Sequence, residues 1–253
     1  MNKFSRALKS IIPAQFHLPL LFAYFKMQGK LDNEIFIEDT LYNTNERAID
    51  VGANIGIYSY MLSKTFKNVE AFEPIKKCTK MLEKYAKRKN INIYYVGLSN
   101  ETREQKLYIP LIDSRIENIA LASVHDSGGE RAILNVQMCR LDDYNFENVG
   151  LIKIDTEGNE VEVIKGAIKT IEKYKPTLLI EIEQRHLQGR TTIDDVFDFI
   201  QSLGYTGYYY DKKKLNSLDN FSLKNHQTDV LLEDKIQLKK YINNFIFIPQ
   251  KTG

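Results

Sequence analysis

The sequence predicts a doubly wound α/β domain, and three observations carry that prediction. Short apolar runs of strand length alternate with amphipathic stretches of helix length. A glycine-containing turn, Asp50-Val51-Gly52-Ala53-Asn54-Ile55-Gly56, joins the first run to the first long helix. At 253 residues, 43% hydrophobic and 27% charged, the chain can bury a substantial core and is neither disordered nor fibrous in composition. Strands alternating with helices imply right-handed crossovers, hence a parallel sheet covered on both faces.

In chain order, the apolar spacing from Phe4 to Gly29 predicts one or two helices, with Gly29 as terminator, that pack on the main domain and are placed to line an acceptor pocket. We divide the chain into this helical extension, residues 1–33, and one domain over residues 34–253. Arg47 to Val51 reads as the first buried strand and Ile55 to Phe66 as the helix after the turn. Val69 to Glu73 is the second strand. Ile75 to Lys89 is a helix whose basic end suits its negative C-terminal dipole and whose lysines form a solvated face. Ile91 to Leu98 is the third strand.

Gln105 to Ile112 and Ala132 to Leu141 read as extra strands flanking a polar segment, Asp113 to Glu130, predicted to be a loop over the active site. Leu151 to Asp155 is the fourth strand of the main pattern, Asn159 to Tyr174 a helix and Thr177 to Glu183 the fifth strand, after Pro176 has stopped the helix. Ile193 to Leu203 is a further helix. Gly204 to Tyr210 and Asn243 to Pro249 read as an antiparallel edge pair.

The net charge of +2, from 35 basic and 33 acidic residues, is too balanced to predict a nucleic-acid partner. Cys78 and Cys139 lack metal or redox spacing and fit a reducing compartment, so a cytoplasmic location is expected. No signal peptide is legible, and the apolar run Pro19 to Phe25 is much shorter than the ~20 residues of a membrane span. Any membrane contact is therefore expected to be peripheral. Homo-oligomers remain compatible with the sequence.

Ligands of open α/β sheets bind beyond the carboxyl ends of the strands. In the first turn Gly52 permits close backbone approach and Gly56 tight packing as the helix begins. A dinucleotide site requires GxGxxG, but Asn54 stands in place of the middle glycine. The acidic Asp50 suits a cationic cofactor better than a pyrophosphate, and S-adenosylmethionine (SAM) carries a sulfonium and an ammonium group. After the second strand, Glu73-Pro74 places a carboxylate to accept bonds from both ribose hydroxyls. Ser99 and Asn100, after the third strand, are candidates for an adenine edge or simple turn formers.

Four segments, IDVGANIGIYS (Ile49 to Ser59), FEP (Phe72 to Pro74), RLDD (Arg140 to Asp143) and IKIDTEGNEVEVIKGA (Ile152 to Ala167), resemble the FkbM family of SAM-dependent methyltransferases. The resemblance runs from about Ile35 to Pro249. It implies a class I methyltransferase fold, a seven-stranded sheet with its last strand antiparallel, and O-methyl transfer to hydroxyls of sugars or polyketide-type products. By residue it implies SAM contacts at Asp50, Gly52, Ala53, Asn54, Gly56 and Glu73.

Methyl transfer to an alcohol needs alignment and a proton acceptor. Asp155, at the end of the fourth strand, is the first candidate. Glu157 and Glu160 are equally readable as acids compensating a helix N-terminus. Alternation sends Glu181 and Glu183 of the fifth strand to one side. Asp155 with Glu181 or Glu183 resembles the metal-binding acids of catechol-type O-methyltransferases, which makes Mg2+ a candidate cofactor with those three as ligands. His186 is the best histidine for a general base, Asp155 and Glu181 being the other catalytic candidates. Arg140 to Asp143 reads as a positioning loop or as a charged turn.

The expected function is a SAM-dependent O-methyltransferase acting on a sugar or glycan hydroxyl. Polyketides, lipids or other small metabolites are the alternative acceptors. A non-catalytic SAM-binding subunit of a glycan-assembly complex and an NAD-dependent dehydrogenase are the competing readings.

Overall fold

A computed structural model describes residues 12–31, 41–87, 89–112, 116–126, 128–187, 189–211, 214–227 and 241–250. Helix α1 (His17–Met27) precedes a unit of β1 (Arg47–Val51), α2 (Ile57–Thr65), β2 (Asn68–Phe72), α3 (Lys80–Ala86) and β3 (Ile91–Tyr94). A second group of strands follows: β4 (Gly97–Leu98), β5 (Arg103–Ile112), β6 (Ile116–Glu117) and β7 (Arg131–Cys139). The chain then returns through β8 (Val149–Ile154), α4 (Glu160–Lys165), α5 (Ile168–Tyr174), β9 (Thr177–Glu181), α6 (Gln184–Leu187) and α7 (Ile193–Ser202). It ends in β10 (Tyr205–Asp211), β11 (Lys214–Ser217), α8 (Leu223–His226) and β12 (Asn244–Pro249).

The main sheet has eight strands in the order β11-β10-β12-β9-β8-β1-β2-β3. Neighbours from β3 to β9 pair in parallel, whereas β12 runs antiparallel to both β9 and β10. The expected seven-stranded sheet with its antiparallel strand is therefore present with one addition. β11 folds back on β10 as a hairpin, pairing Asp211 with Lys214 through Tyr208 with Ser217.

Alternation along the strands feeds two cores. Ile49, Val51, Ile152, Ile154 and Ile180 pack with Val163, Ile171 and Ile200 of α4, α5 and α7. Ala48, Val69, Ala71 and Leu151 pack on the other face with Leu62 of α2, Leu82 and Tyr85 of α3 and Leu18 of α1. The described part of the N-terminal extension thus covers α2 and α3, with Phe22 and Tyr60 rings 5.0 Å apart. The expected helical segment before Ile12 lies outside the described residues.

Three predicted elements are interrupted. The third strand divides at Tyr95 and Val96, leaving β3 in the main sheet while β4 pairs with β7 in the second group. The long helix after the second strand opens in turns and is regular only over α3. The helix predicted over Asn159 to Tyr174 breaks between α4 and α5 at Gly166, where an added Cβ would lie 1.9 Å from the Ser99 carbonyl oxygen. The chain must therefore pass against Ser99 there, and Asp142 caps the restarted helix by accepting from Lys169 N (3.0 Å), Thr170 N (2.9 Å) and Thr170 Oγ1 (2.8 Å).

Candidate active site

A cavity of about 240 Å3 opens beyond the carboxyl ends of β1, β2 and β8. Its walls bring together Gly52, Asn54, Glu73, Pro74, Asp155 and Glu181 among the residues singled out from sequence. An apolar side comes from Ile75, Leu98, Leu107 and Met138, and a roof from Ile119, Ala122 and Val124. The roof belongs to the predicted covering loop. It is fastened to the loop after β8, since Ser123 Oγ donates to the Glu157 carbonyl at 2.7 Å and His125 Nε2 lies 3.0 Å from the Gly158 carbonyl oxygen.

The turn after β1 is built for close approach. Gly52, with φ +78°, leaves no room for a side chain, because an added Cβ would sit 1.8 Å from the Asp155 carbonyl oxygen. The glycine is thus required by its protein neighbour across the strands. Gly56, with φ +94°, packs similarly on the Leu82 side chain. Asn54 takes a left-handed conformation, which asparagine tolerates better than most residues. Its N–H donates to Glu73 Oε2 at 2.9 Å while Ile75 N–H donates to Oε1 at 2.8 Å. Each carboxylate oxygen retains acceptor capacity beyond that one bond.

Asp50 lies beneath this turn, not in the cavity wall, because alternation turns it toward α2. It is fully buried, with Ser59 Oγ donating to Oδ2 at 2.5 Å, and its other oxygen accepts no hydrogen bond. Burial raises its carboxyl above the usual range against the opposing influence of Lys153 and Ser59. Ala53 is likewise buried. Ser99 is outside the wall as well: its N–H donates to the Cys139 carbonyl and its backbone meets Gly166. Leu98 and Asn159 stand at the cavity instead, with Asn159 Nδ2 donating to the Leu98 carbonyl at 2.9 Å.

The electrostatic centre is Lys153, a residue not singled out from sequence. It faces Asp50 in strand register and is 3% exposed, so its ammonium is withdrawn from water. Its Nζ donates to Asp155 Oδ2 at 2.9 Å, lies 4.0 Å from Asp50 Oδ1 and sits 4.6 Å from the Tyr58 ring centre. Burial opposes its charge, yet Asp155 and Asp50 outweigh burial and hold it above the ordinary lysine range.

At the acidic end of the cavity, burial and the neighbouring Asp155 push Glu157 up to about 8 and Glu181 up to about 10. Glu157 Oε2 is 3.3 Å from His186 Nε2, and burial lowers that histidine below its ordinary value. Near neutrality the pair is therefore a protonated acid beside a neutral imidazole, sharing a proton next to the cavity. Glu181 and Glu183 do share one side, since Asn243 Nδ2 donates to both at 2.6 and 3.0 Å. Burial works against charge on Glu183, but donors from Arg185, Asn243 and Tyr241 hold it below the usual value.

The candidate magnesium set is not assembled. Among the described residues no group of three or more His, Cys, Asp or Glu side chains is arranged to hold a metal ion. Lys153 already neutralises Asp155, while Glu183 is turned to Arg185 and Tyr241. Glu160 has a scaffolding part: its Oε1 accepts from Thr156 N (3.1 Å), Thr156 Oγ1 (2.9 Å) and Gly158 N (3.0 Å), fixing the loop that aims Glu157. In the Arg140 to Asp143 segment, the charged pair of Arg140 and Asp143 is exposed and Asp142 is the helix cap described above.

The sequence profile described as the Methyltransferase FkbM domain matches residues 50–206. Among solved structures, a methyltransferase FkbM from Methylobacillus flagellatus KT matches with a TM-score of 0.53 and 18% identity, over 85% of this chain and 47% of that one. The chain thus spans about half the length of that protein. A Streptococcus mutans protein described as a methyltransferase, in complex with SAH, matches with a TM-score of 0.44 and 13% identity over 86% of this chain and 94% of its own. A precorrin-6y C5,15-methyltransferase from Geobacter metallireducens GS-15 gives 0.41 and 11%, over 84% and 85%. No curated protein matches the chain at a significant level. The fold is that of the class I methyltransferases, with eight strands in the main sheet.

Proposed function

We propose that this chain, which belongs to the methyltransferase FkbM family, is a SAM-dependent O-methyltransferase acting on a hydroxyl of a sugar or glycan. The observation that carries the reading is the single cavity that joins the Gly52 to Asn54 turn and Glu73 to the acids Asp155, Glu157 and Glu181. A cofactor pole and a proton-handling pole stand in one enclosure at the carboxyl ends of the strands, where the open sheet places ligands.

The chain's residues fit the cofactor by their chemistry. Glu73, with both oxygens oriented by backbone N–H groups, has lone pairs left for two ribose hydroxyls. Pro74, Ile75, Leu98 and Met138 form an apolar surface suited to a purine ring. When bound, SAM supplies an electrophilic methyl group on a sulfonium. Asp155, held by Lys153, fixes negative charge at the meeting point of the two poles, favourable to a sulfonium and able to orient an acceptor hydroxyl. The Glu157–His186 pair, set by the Glu160 clamp, is the acceptor for the hydroxyl proton. Ile119, Ala122 and Val124 line one side of the cavity with apolar side chains, which reduces its contact with bulk water. The acids expected to hold magnesium are instead engaged with Lys153, Asn243 and Arg185.

Transfer of labelled methyl from SAM to a panel of deoxysugars, nucleotide sugars and glycosides tests the reading. Methylation of one sugar class is expected, in magnesium and in EDTA alike. Cofactor binding with no transfer to any sugar, but transfer to a polyketide or lipid alcohol, would replace the acceptor class and leave the enzyme class standing.

A further inference from the structure

We propose that helix α1 and the neighbouring basic face of α3 together form a docking surface for an anionic lipid bilayer. Phe16, just before α1, and Leu20, Tyr24 and Met27 within it recur at spacings of one helical turn and lie on one face. They are 48%, 48%, 52% and 85% exposed, while Leu18 on the opposite face is fully buried in the core shared with α2 and α3. A helix that is apolar on the side away from its own domain has a second apolar environment to meet. With 11 residues it is far too short to span a bilayer, and no described helix is long and apolar enough to cross one, so the geometry fits a helix lying in the interface plane.

Charge selects the occupant. Residues 1–31 contain Lys3, Arg6, Lys9, Lys26 and Lys30 and no acidic residue. Helix α1 packs directly on α3, whose Lys80 and Lys84, with Lys87 just past its end, are exposed and spaced along one face. An apolar stripe rimmed by cations on two elements complements anionic headgroups over acyl chains. Two copies of the chain meeting through this surface would instead bring like charges together, which disfavours self-association there. The surface lies on the helical layer that covers one face of the sheet, so docking leaves the cavity's acids untouched.

Co-sedimentation of the full chain with vesicles of phosphatidylglycerol and phosphatidylcholine, against phosphatidylcholine alone, tests this. Binding to the anionic vesicles is expected, weakened several-fold when salt rises from about 0.1 to about 0.5 M as the charges are screened. Leu20→Glu with Met27→Glu, both at exposed positions and checked for an unchanged melting temperature, should lower the partition at least about tenfold by placing charge in the acyl boundary. Lys80→Glu with Lys84→Glu should lower it by about fivefold or more for each lysine. Equal or absent sedimentation with both vesicle types overturns the proposal, as does a dimer in light scattering that Leu20→Glu with Met27→Glu dissolves. Methyl transfer to a soluble acceptor is measured separately, so failure here leaves the enzymatic reading unaffected.

Discussion

At the residue scale, the behaviour of the site turns on which acids keep their protons. Glu157 is pushed to about 8 by burial first and by Asp155 second, from an ordinary 4.5. Between those values the folded chain holds a proton that the unfolded chain has released, so this group's contribution to stability falls as pH rises through that window. Glu157→Gln is expected to flatten that part of the stability profile, measured by urea unfolding from pH 5 to 8.5. In catalysis the sign is opposite, because a base must be deprotonated. The rate is expected to climb with pH and level off near 8, and Glu157→Gln to remove the climb and lower the rate by about 10²-fold or more. A rate profile that is unchanged in Glu157→Gln would assign proton removal elsewhere.

Lys153 is the residue whose loss is expected to cost the most stability. Its ammonium is paired with Asp155 at 2.9 Å and is nearly inaccessible to water. Lys153→Met keeps much of the side-chain volume but leaves Asp155 without its cation, and a loss of about 3 kcal/mol is expected in urea unfolding. A change below about 1 kcal/mol would mean that water or a neighbouring donor replaces the ammonium without cost. The sequence carried a partial signal for Lys153. A lysine inside Leu151-Ile152-Lys153-Ile154-Asp155 must face the same side as Asp155, two residues on. Its second neighbour, Asp50, depends on the register between β1 and β8, which no local pattern encodes.

At the scale of elements, the strands of the main sheet other than β11 were legible in their order of appearance because each is a short apolar run with a turn at its end. The glycine-containing turn after β1 and the carboxylates at the ends of β2, β8 and β9 followed from the same reading. What local pattern misses is where one element presses on another. Gly166 looks like an ordinary helix residue until Ser99 is packed against it, and the break between α4 and α5 follows from that contact. Asp142 then becomes a cap acting across 27 and 28 residues of chain. Asp142→Ala is expected to cost about 1 kcal/mol by thermal or urea unfolding, as loss of a helix N-cap does. An effect near zero would show that α5 is held by its buried face alone. The loop over the cavity was also legible as polar and long, but its fastening to Glu157 and Gly158 through Ser123 and His125 is tertiary and has no sequence signature.

At the scale of the whole molecule, the sheet places Glu73, Asp155 and Glu157 in the wall of one cavity, with His186 beside Glu157 and with Ile119, Ala122 and Val124 reaching over from the second group of strands. The resemblance in four short motifs foretold the fold, and the extra strand β11 is a hairpin added at its edge. Asp50 was read as a cofactor contact from its type and position; in the fold it is buried beneath the turn, bonded to Ser59 on the helical side and outside the cavity lining. The proposed function depends on recognition of SAM in this cavity through Glu73. Thermal unfolding of the wild type and of Glu73→Ala, each with SAM, SAH or NAD, tests it most directly. At about 100 times the dissociation constant, a ligand specific for the folded state stabilises by about 2.7 kcal/mol. For a chain of this size that is a rise of about 5 to 10 °C in Tm. A rise of that order with SAM and SAH, absent with NAD and largely lost in Glu73→Ala, is the expected result. Stabilisation by NAD with none by SAM or SAH would rule out a SAM site.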